Sequence, residues 1–229
     1  MKITWLGQAG LMLETCGKTI LVDPYLSDNV KNFEPKNYRR VPVDERFLQI
    51  KPDVIIVTHN HLDHMDRETL KYYLTDDAGC LFLTPSGGWQ EIRKFSGSTN
   101  YVLFNAGTSW TEGEITFRAV KAEHSDAFAI GVIITAEGKS YYITGDTLYN
   151  EAVFASIPNM PLEAVFLPIN GVGNNMNAVD AADFAARVKA KFAVPLHFGL
   201  FDSLDPHCFD VPNRVIPEIY QEIHFPQEV

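Results

Sequence analysis

The run His59-Asn60-His61-Leu62-Asp63-His64 is the most informative stretch of this 229-residue sequence. It follows Val54-Ile55-Ile56-Val57, a continuous apolar run that predicts a strand buried on both faces. Alternation along the chain would place His59, His61 and Asp63 on one side, and a turn would let His64 join them. Burying four such side chains is costly unless they are coordinated or paired. Imidazole and carboxylate groups suit zinc, manganese or iron(II), so the run predicts a metal site at a strand end.

Three further ionisable residues, His124, Asp146 and His197, each follow a predicted strand. Taken alone, a histidine at a strand end usually has no ligand role, and an aspartate after a glycine is usually a turn residue. In α/β proteins, however, sites are assembled where strands end. Together with the 59–64 run, these residues predict one site built from several strand ends.

The rest of the chain predicts mixed strands and helices. Strands are expected at Lys2–Trp5, Leu11–Thr15, Thr19–Asp23, Val54–Val57, Leu81–Thr84, Tyr101–Phe104, Ile115–Lys121, Ile130–Thr135, Tyr141–Thr144, Ala164–Leu167 and Phe192–Leu196. Helices are expected after an Asp66 cap, over Trp89–Phe95, over Ala178–Val188 with Asn177 as the N-cap, and near Val215–Tyr220. This order favours an α/β protein with a single domain over residues 1–229.

Composition limits the classes of partner. The formal net charge is −10, which argues against nucleic acid because such partners require a basic face. A small anionic substrate remains compatible, since a metal ion can reverse the local field. The three scattered cysteines form no CxxC pair, and no apolar run approaches the ~20 residues of a membrane span. A cytoplasmic protein with no membrane partner is expected, and a homo-oligomer is left open.

The HxHxDH run at 59–64, followed in order by His124, Asp146 and His197, resembles the metallo-β-lactamase superfamily. The resemblance implies an αββα sandwich of two similar halves, with two divalent metal ions at one edge. It assigns the first ion to His59, His61 and His124, and the second to Asp63, His64 and His197. Asp146 would bridge the two ions, and Asp23 would orient the site without binding metal itself. Zinc or manganese is expected in preference to iron.

A narrower resemblance, to the L-ascorbate-6-phosphate lactonase-like branch, rests on five short segments. They are Asp23–Asp28, Ile143–Thr147, Ile169–Gly171, Asn175–Asn177 and Val194–Gly199. The resemblance implies hydrolysis of a small-molecule ester or lactone, phosphorylated substrates included. Residues 26–50 and 200–211 match this branch less closely, and these are the regions expected to determine substrate specificity.

Two metal ions that share a water can generate a metal-bound hydroxide near neutral pH, so no protein nucleophile is needed. Asp63 and Asp23 are the catalytic candidates. Asp63, as a metal ligand, can also accept a hydrogen bond from that hydroxide, whereas Asp23 would act by orienting a ligating imidazole. Residues 31–40 carry an excess of three positive charges, and Arg39 and Arg40 are candidates for binding an anionic substrate group. Asn175 is a further candidate for substrate contact.

Three alternatives remain open on sequence grounds. A nuclease or phosphodiesterase can use the same metal motif, although the acidic charge and short length disfavour it. A di-iron protein of the flavodiiron kind resembles HxExD, whereas positions 61–63 here read His-Leu-Asp and no flavin domain follows. A non-catalytic metal-binding protein is disfavoured by the full set of seven candidate ligands.

Overall fold

The computed structural model describes residues 1–75, 79–95 and 99–226, without the side chain of Gln90. The first sheet contains β1 Lys2–Gly7, β2 Gly10–Thr15, β3 Lys18–Val22, β4 Val54–Ile56, β5 Leu81–Thr84 and β6 Asn100–Leu103. The second sheet contains β7 Ser109–Glu112, β8 Ile115–Lys121, β9 Ile130–Ala136, β10 Lys139–Ile143, β11 Ala164–Pro168 and β12 Phe192–Leu196. The α-helices of the described residues are α1 Arg67–Tyr73, α2 Ser86–Ile92, α3 Glu151–Ser156 and α4 Ala178–Val188.

The two halves of the chain share one plan. Each half forms a six-stranded sheet whose strands lie side by side in chain order. Each sheet starts with antiparallel strands and finishes with parallel ones, and helices connect the parallel strands. The crossover β4-α1-β5-α2-β6 in the first half thus corresponds to β10-α3-β11-α4-β12 in the second. This arrangement confirms the predicted α/β sandwich of two similar halves.

Alternation along the parallel strands divides the core of the first half into two layers. Val54 and Ile56 of β4 belong to the large apolar cluster that also holds residues of the second sheet. Ile55, between them, belongs to a second cluster with Leu70 and Tyr73 of α1. A strand covered on both faces reads as a continuous apolar run, and this explains the pattern that precedes the 59–64 run.

The predicted helix near Val215–Tyr220 is wrong. This segment forms no helix and ends in a turn at Ile219 and Tyr220, and the Val215 amide donates to the Ala193 carbonyl of β12 at 2.9 Å. Further along, the Ile223 amide donates to the Ile3 carbonyl of β1 at 2.8 Å. Pro217, which has no amide proton, sits inside the segment and disfavours a helix there. The C-terminal segment therefore runs along the edge strand of each sheet.

Short or atypical elements account for the other differences. The six-residue α3 and the four-residue β7 were not predicted, because neither is long enough to show a clear period. Helix α2 begins at Ser86, earlier than the predicted start at Trp89. The prediction missed this first turn because Gly87 and Gly88 are weak helix formers. The Asn177 cap is confirmed, because its side chain accepts hydrogen bonds from the amides of Val179 and Asp180.

No helix within the described ranges is long and apolar enough to cross a membrane.

Candidate metal centre

The structure brings all seven predicted metal ligands together at one edge of the sandwich. Their ligand atoms form three overlapping groups, within each of which the atoms lie within 4.8 Å of one another. The groups are His59 with His61 and His124, His59 with His64 and Asp146, and Asp63 with His64 and His197. The first and third groups have the composition that the superfamily resemblance implied for two separate ions. The middle group includes Asp146, which was expected to lie between them.

Loops that follow strand ends supply these side chains. The 59–64 loop continues from β4, whereas His124, Asp146 and His197 follow β8, β10 and β12 of the other half. The turn before Asp146 requires a glycine. Gly145 has a φ of +62°, and a Cβ atom there would lie only 2.6 Å from the Ile130 carbonyl oxygen. The absence of a side chain lets the Asp146 loop approach β9 and the 59–64 loop closely.

The second ligand group is densely charged. His197 Nε2 lies 3.3 Å from Asp63 Oδ2 and 3.3 Å from Asp146 Oδ2. His64 Nε2 lies 3.4 Å from Asp146 Oδ2 and 3.8 Å from Asp63 Oδ2. Both carboxylates thus converge on the same pair of imidazole nitrogens.

The nitrogen atoms of the cluster fit a metal ion. His59 Nε2 and His64 Nε2 are buried, and neither has a hydrogen-bond partner in the part of the chain that the structure describes. In the first group, His124 Nε2 and His61 Nδ1 lie 3.1 Å apart, close enough for both nitrogens to bind one ion. Buried polar atoms are rarely left without a partner. A divalent cation that accepts these lone pairs would satisfy them, and the His/Asp donor set suits zinc or manganese.

Asp23 lies behind two of the ligands and orients both. Its Oδ2 accepts a hydrogen bond from His64 Nδ1 at 2.8 Å and another from the Thr58 hydroxyl at 2.6 Å. Because the Thr58 proton is directed to Asp23, the hydroxyl oxygen accepts from His59 Nδ1 at 3.0 Å. Protonation of both rings at Nδ1 leaves each Nε2 with its lone pair free for metal. The predicted orienting role of Asp23 therefore has a geometric basis.

Gln8 belongs to the site, although its sequence context did not identify it. Its Nε2 donates to Asp63 Oδ2 at 2.9 Å and lies 3.2 Å from both ring nitrogens of His197. Gln8 is buried and has a φ of +52°, a strained conformation for a residue with a side chain. The only indication in the sequence was its position between two predicted strands, in Gly7-Gln8-Ala9-Gly10.

Asp126 is a second residue that the sequence analysis missed. Its Oδ2 accepts a hydrogen bond from the Asn60 amide at 3.2 Å, and its Oδ1 accepts one from the Phe128 amide at 2.9 Å. The carboxylate thereby ties the 59–64 loop to the loop that carries His124. An aspartate two residues after a candidate ligand resembles an ordinary turn residue, and its link to Asn60 depends on the tertiary fold.

Burial and nearby charges shift the pKa values of the ligands in opposite directions. Burial lowers the pKa of His59 well below its usual value, and the adjacent His64 adds to this effect. Burial also acts to lower the pKa of His197, but Asp146 and Asp63 outweigh it and raise that pKa to about 10. For Asp146, burial is outweighed by His197 and His64, which lower its pKa. In the chain alone the two carboxylates favour positive charge at His197, and a divalent ion would supply that charge when it displaces the proton.

The predicted substrate residues occupy three different environments. Asn175 is buried, lines the cavity beside the cluster, and donates from Nδ2 to Asp146 Oδ2 at 2.8 Å. The guanidinium of Arg39 instead donates to the carbonyls of Tyr25 and Val41 and to the Tyr220 hydroxyl. Arg40 is exposed and stacks over the Tyr38 ring. Neither Arg39 nor Arg40 lines the cavity of about 550 Å³, and their contact with substrate stays a prediction.

Comparison with known proteins agrees with this geometry. A family model described as the β-lactamase superfamily domain matches residues 2–197, which include all seven candidate ligands. A relative from Bacillus pumilus (strain SAFR-032), named UPF0173 metal-dependent hydrolase, is 32% identical over 228 residues and covers 91% of each chain. The chain belongs to the metallo-β-lactamase superfamily, within the group of relatives named UPF0173 metal-dependent hydrolases.

Two solved structures show the same fold at low identity. Igni18, a metallo hydrolase from the hyperthermophilic archaeon Ignicoccus hospitalis KIN4/I, has a TM-score of 0.79 at 19% identity, with 99% of each chain covered. An isothiocyanate hydrolase from Delia radicum gut bacteria has a TM-score of 0.74 at 20% identity, covering 98% of this chain and 99% of that one.

Proposed function

We propose that this metal-dependent hydrolase cleaves a small-molecule ester or lactone with two divalent ions held by the seven ligands. The observation that carries the proposal is the pairing of two three-ligand groups, with Asp146 between them, beside a cavity of about 550 Å³. Such a volume suits a small molecule. His59, His61 and His124 would hold one ion, and Asp63, His64 and His197 the other.

When bound, the two ions would lower the pKa of a water and polarise the scissile carbonyl. The chain supplies Asp63, which lines the cavity and is held by the Gln8 amide. Although burial acts to raise the pKa of Asp63, His64 and His197 lower it well below its usual range, so its carboxylate stays ionised. An ionised carboxylate at this place would accept a hydrogen bond from the attacking water and orient it. Asn175 restrains Asp146 from the other side of the cavity.

A serine mechanism lacks a necessary partner. Ser125 Oγ lies 3.1 Å from His61 Nε2, which could in principle activate it. The other nitrogen of that ring faces His124 at 3.1 Å, not a carboxylate. The acid that orients the imidazole of a Ser-His-Asp triad is therefore missing from this pair.

A substrate screen with metal-loaded protein tests the proposal. The panel contains a neutral lactone, a phosphorylated lactone, a carboxylic ester, a phosphate monoester and a phosphodiester. We expect turnover of a lactone or an ester that stops when a chelator removes metal. Asp63→Asn should lower kcat by about 100-fold or more. Asp183→Asn, an exposed change on α4, is the matched control and should leave kcat unchanged.

Two outcomes would contradict the proposal. Faster turnover of the phosphodiester than of every lactone and ester would favour the phosphodiesterase alternative. Stable binding of two ions without turnover of any member would favour the non-catalytic alternative.

A further inference from the structure

The cavity beside the metal ligands is lined by acidic residues and by no basic ones among the residues that the structure describes, the candidate ligands apart. Apart from the ligands themselves, its ionisable lining residues are Glu34 and Asp202. Among the lining residues that the structure describes there is no lysine or arginine. The remaining wall is made of amide side chains and of the apolar residues Val30, Leu62, Val172 and Phe201.

We infer that the substrate carries no anionic group at the end that faces away from the metal ligands, and that an uncharged or amine-bearing ester or lactone fits this cavity. The inference rests on the proposed hydrolysis of such compounds and names the class among them. A phosphate or carboxylate at that end would meet carboxylates in place of the arginines and lysines that usually bind such groups.

Both wall carboxylates are held in place by the surrounding chain. Asp202 Oδ1 accepts hydrogen bonds from the amides of Gly199 at 2.8 Å and Leu204 at 3.0 Å. Glu34 Oε2 accepts one from Asn37 Nδ2 at 2.6 Å. Because Asp202 is fixed by two backbone donors, it cannot turn away from an anion without losing both bonds.

None of the positively charged residues of 31–40 lines this cavity. Arg39 would have to give up three hydrogen bonds, to Tyr25, Val41 and Tyr220, before it could reach the cavity. Lys31 Nζ lies 3.7 Å from Asp28 Oδ2, and both side chains are largely exposed. Lys31 does not line the cavity, and salt screens the interaction of such an exposed charge over about 8–10 Å, whereas Glu34 and Asp202 line the cavity itself.

The test compares three γ-lactams that differ in one substituent at the same ring carbon: an ammonium, a hydroxymethyl or a carboxylate group. Lactams resist hydrolysis, so calorimetric titration of the metal-loaded protein reports binding alone. We expect the ammonium compound to bind about five-fold more tightly than the carboxylate, with the neutral compound between them. Turnover of the three corresponding lactones is measured in parallel.

The double variant Glu34→Gln with Asp202→Asn removes both charges and keeps an oxygen to accept each existing hydrogen bond. It should reduce the difference between the ammonium and carboxylate lactams to about two-fold or less. Its matched control, Asp183→Asn with Glu218→Gln, removes two exposed charges that do not line the cavity and should keep the wild-type order.

Binding of the lactams tests the inference, whereas turnover of the lactones tests the proposed function, so the two can fail separately. Three results would each overturn the inference. The carboxylate lactam binds as tightly as the neutral one or more tightly, the difference in the double variant is as large as in wild type, or no lactam binds. If the lactams bind in the expected order but no lactone is hydrolysed, the charge inference stands and lactone hydrolysis is wrong.

Discussion

Asp23 and Asp146 contact opposite sides of the His64 ring and should have different effects when changed. Asp23 Oδ2 accepts from Nδ1 at 2.8 Å, whereas Asp146 Oδ2 lies 3.4 Å from Nε2, on the metal side. Asp146→Asn removes a negative charge shared by both ion positions, so we expect loss of one ion and nearly all turnover. Asp23→Asn should retain both ions with an affinity about 10–100-fold lower. Metal content and kcat are measured for both variants in one buffer. Two ions and normal turnover in Asp146→Asn would exclude the bridging role.

Gln8 offers a test that is specific for the second ion position. Its amide donates to Asp63 Oδ2 at 2.9 Å and lies 3.2 Å from the ring nitrogens of His197, and both residues belong to the second ligand group. Gln8→Met has a similar shape and no amide, and should weaken binding of the second ion by about 10–100-fold. The first ion should bind as in wild type, as judged by stepwise metal titration. Equal weakening of both ions would show a general distortion instead.

Residue chemistry in the sequence was sufficient to select the candidate ligands but not the residues that support them. Histidine and aspartate at strand ends carry a chemical signal that glutamine and threonine lack. Gln8 and Thr58 act only because the fold places them beside Asp63 and Asp23. Such contacts join residues far apart in the chain, and one sequence without relatives does not reveal them.

At the scale of elements, the C-terminal segment lies along one edge strand of each sheet, β12 in one and β1 in the other. It bonds to β12 through Val215 and to β1 through Ile223, whose side chain is 6% exposed. Ile223→Ala should lower the free energy of unfolding by about 2–5 kcal/mol, because a buried side chain is lost from the core. The adjacent His224 is exposed, and His224→Ala should change it by no more than about 0.5 kcal/mol. Denaturant unfolding measures both. Equal values would mean that the segment contributes little to the core.

Elements with a strong local signal were predicted well, whereas this segment was not. Helix α4 combines an apolar period with an Asn177 cap, and its predicted bounds, Ala178–Val188, are those observed. Around Pro217 a Pro-bounded helix was predicted, but this segment hydrogen-bonds to a strand of each sheet instead. Pairing with distant strands decided the conformation there, and local sequence does not encode which edges are free.

On the scale of the whole molecule, the metal centre joins the two halves of the sandwich. His59, His61, Asp63 and His64 come from the first half, whereas His124, Asp146 and His197 come from the second. The αββα arrangement was expected only through a family resemblance, because strand patterns alone did not distinguish it from other α/β layers. The structure confirms the arrangement and shows why the ligands are spread over most of the chain.

The central claim is that seven side chains hold two divalent ions. Elemental analysis of wild type and His61→Ala, after loading with zinc or manganese and removal of excess metal, tests it most directly. His207→Ala, a change at an exposed histidine outside the cluster, is the control. We expect two ions per chain in wild type and in His207→Ala, and a reduced content in His61→Ala because the first position loses a ligand. One ion per chain in fully loaded wild type, or an unchanged content in His61→Ala, would contradict the account.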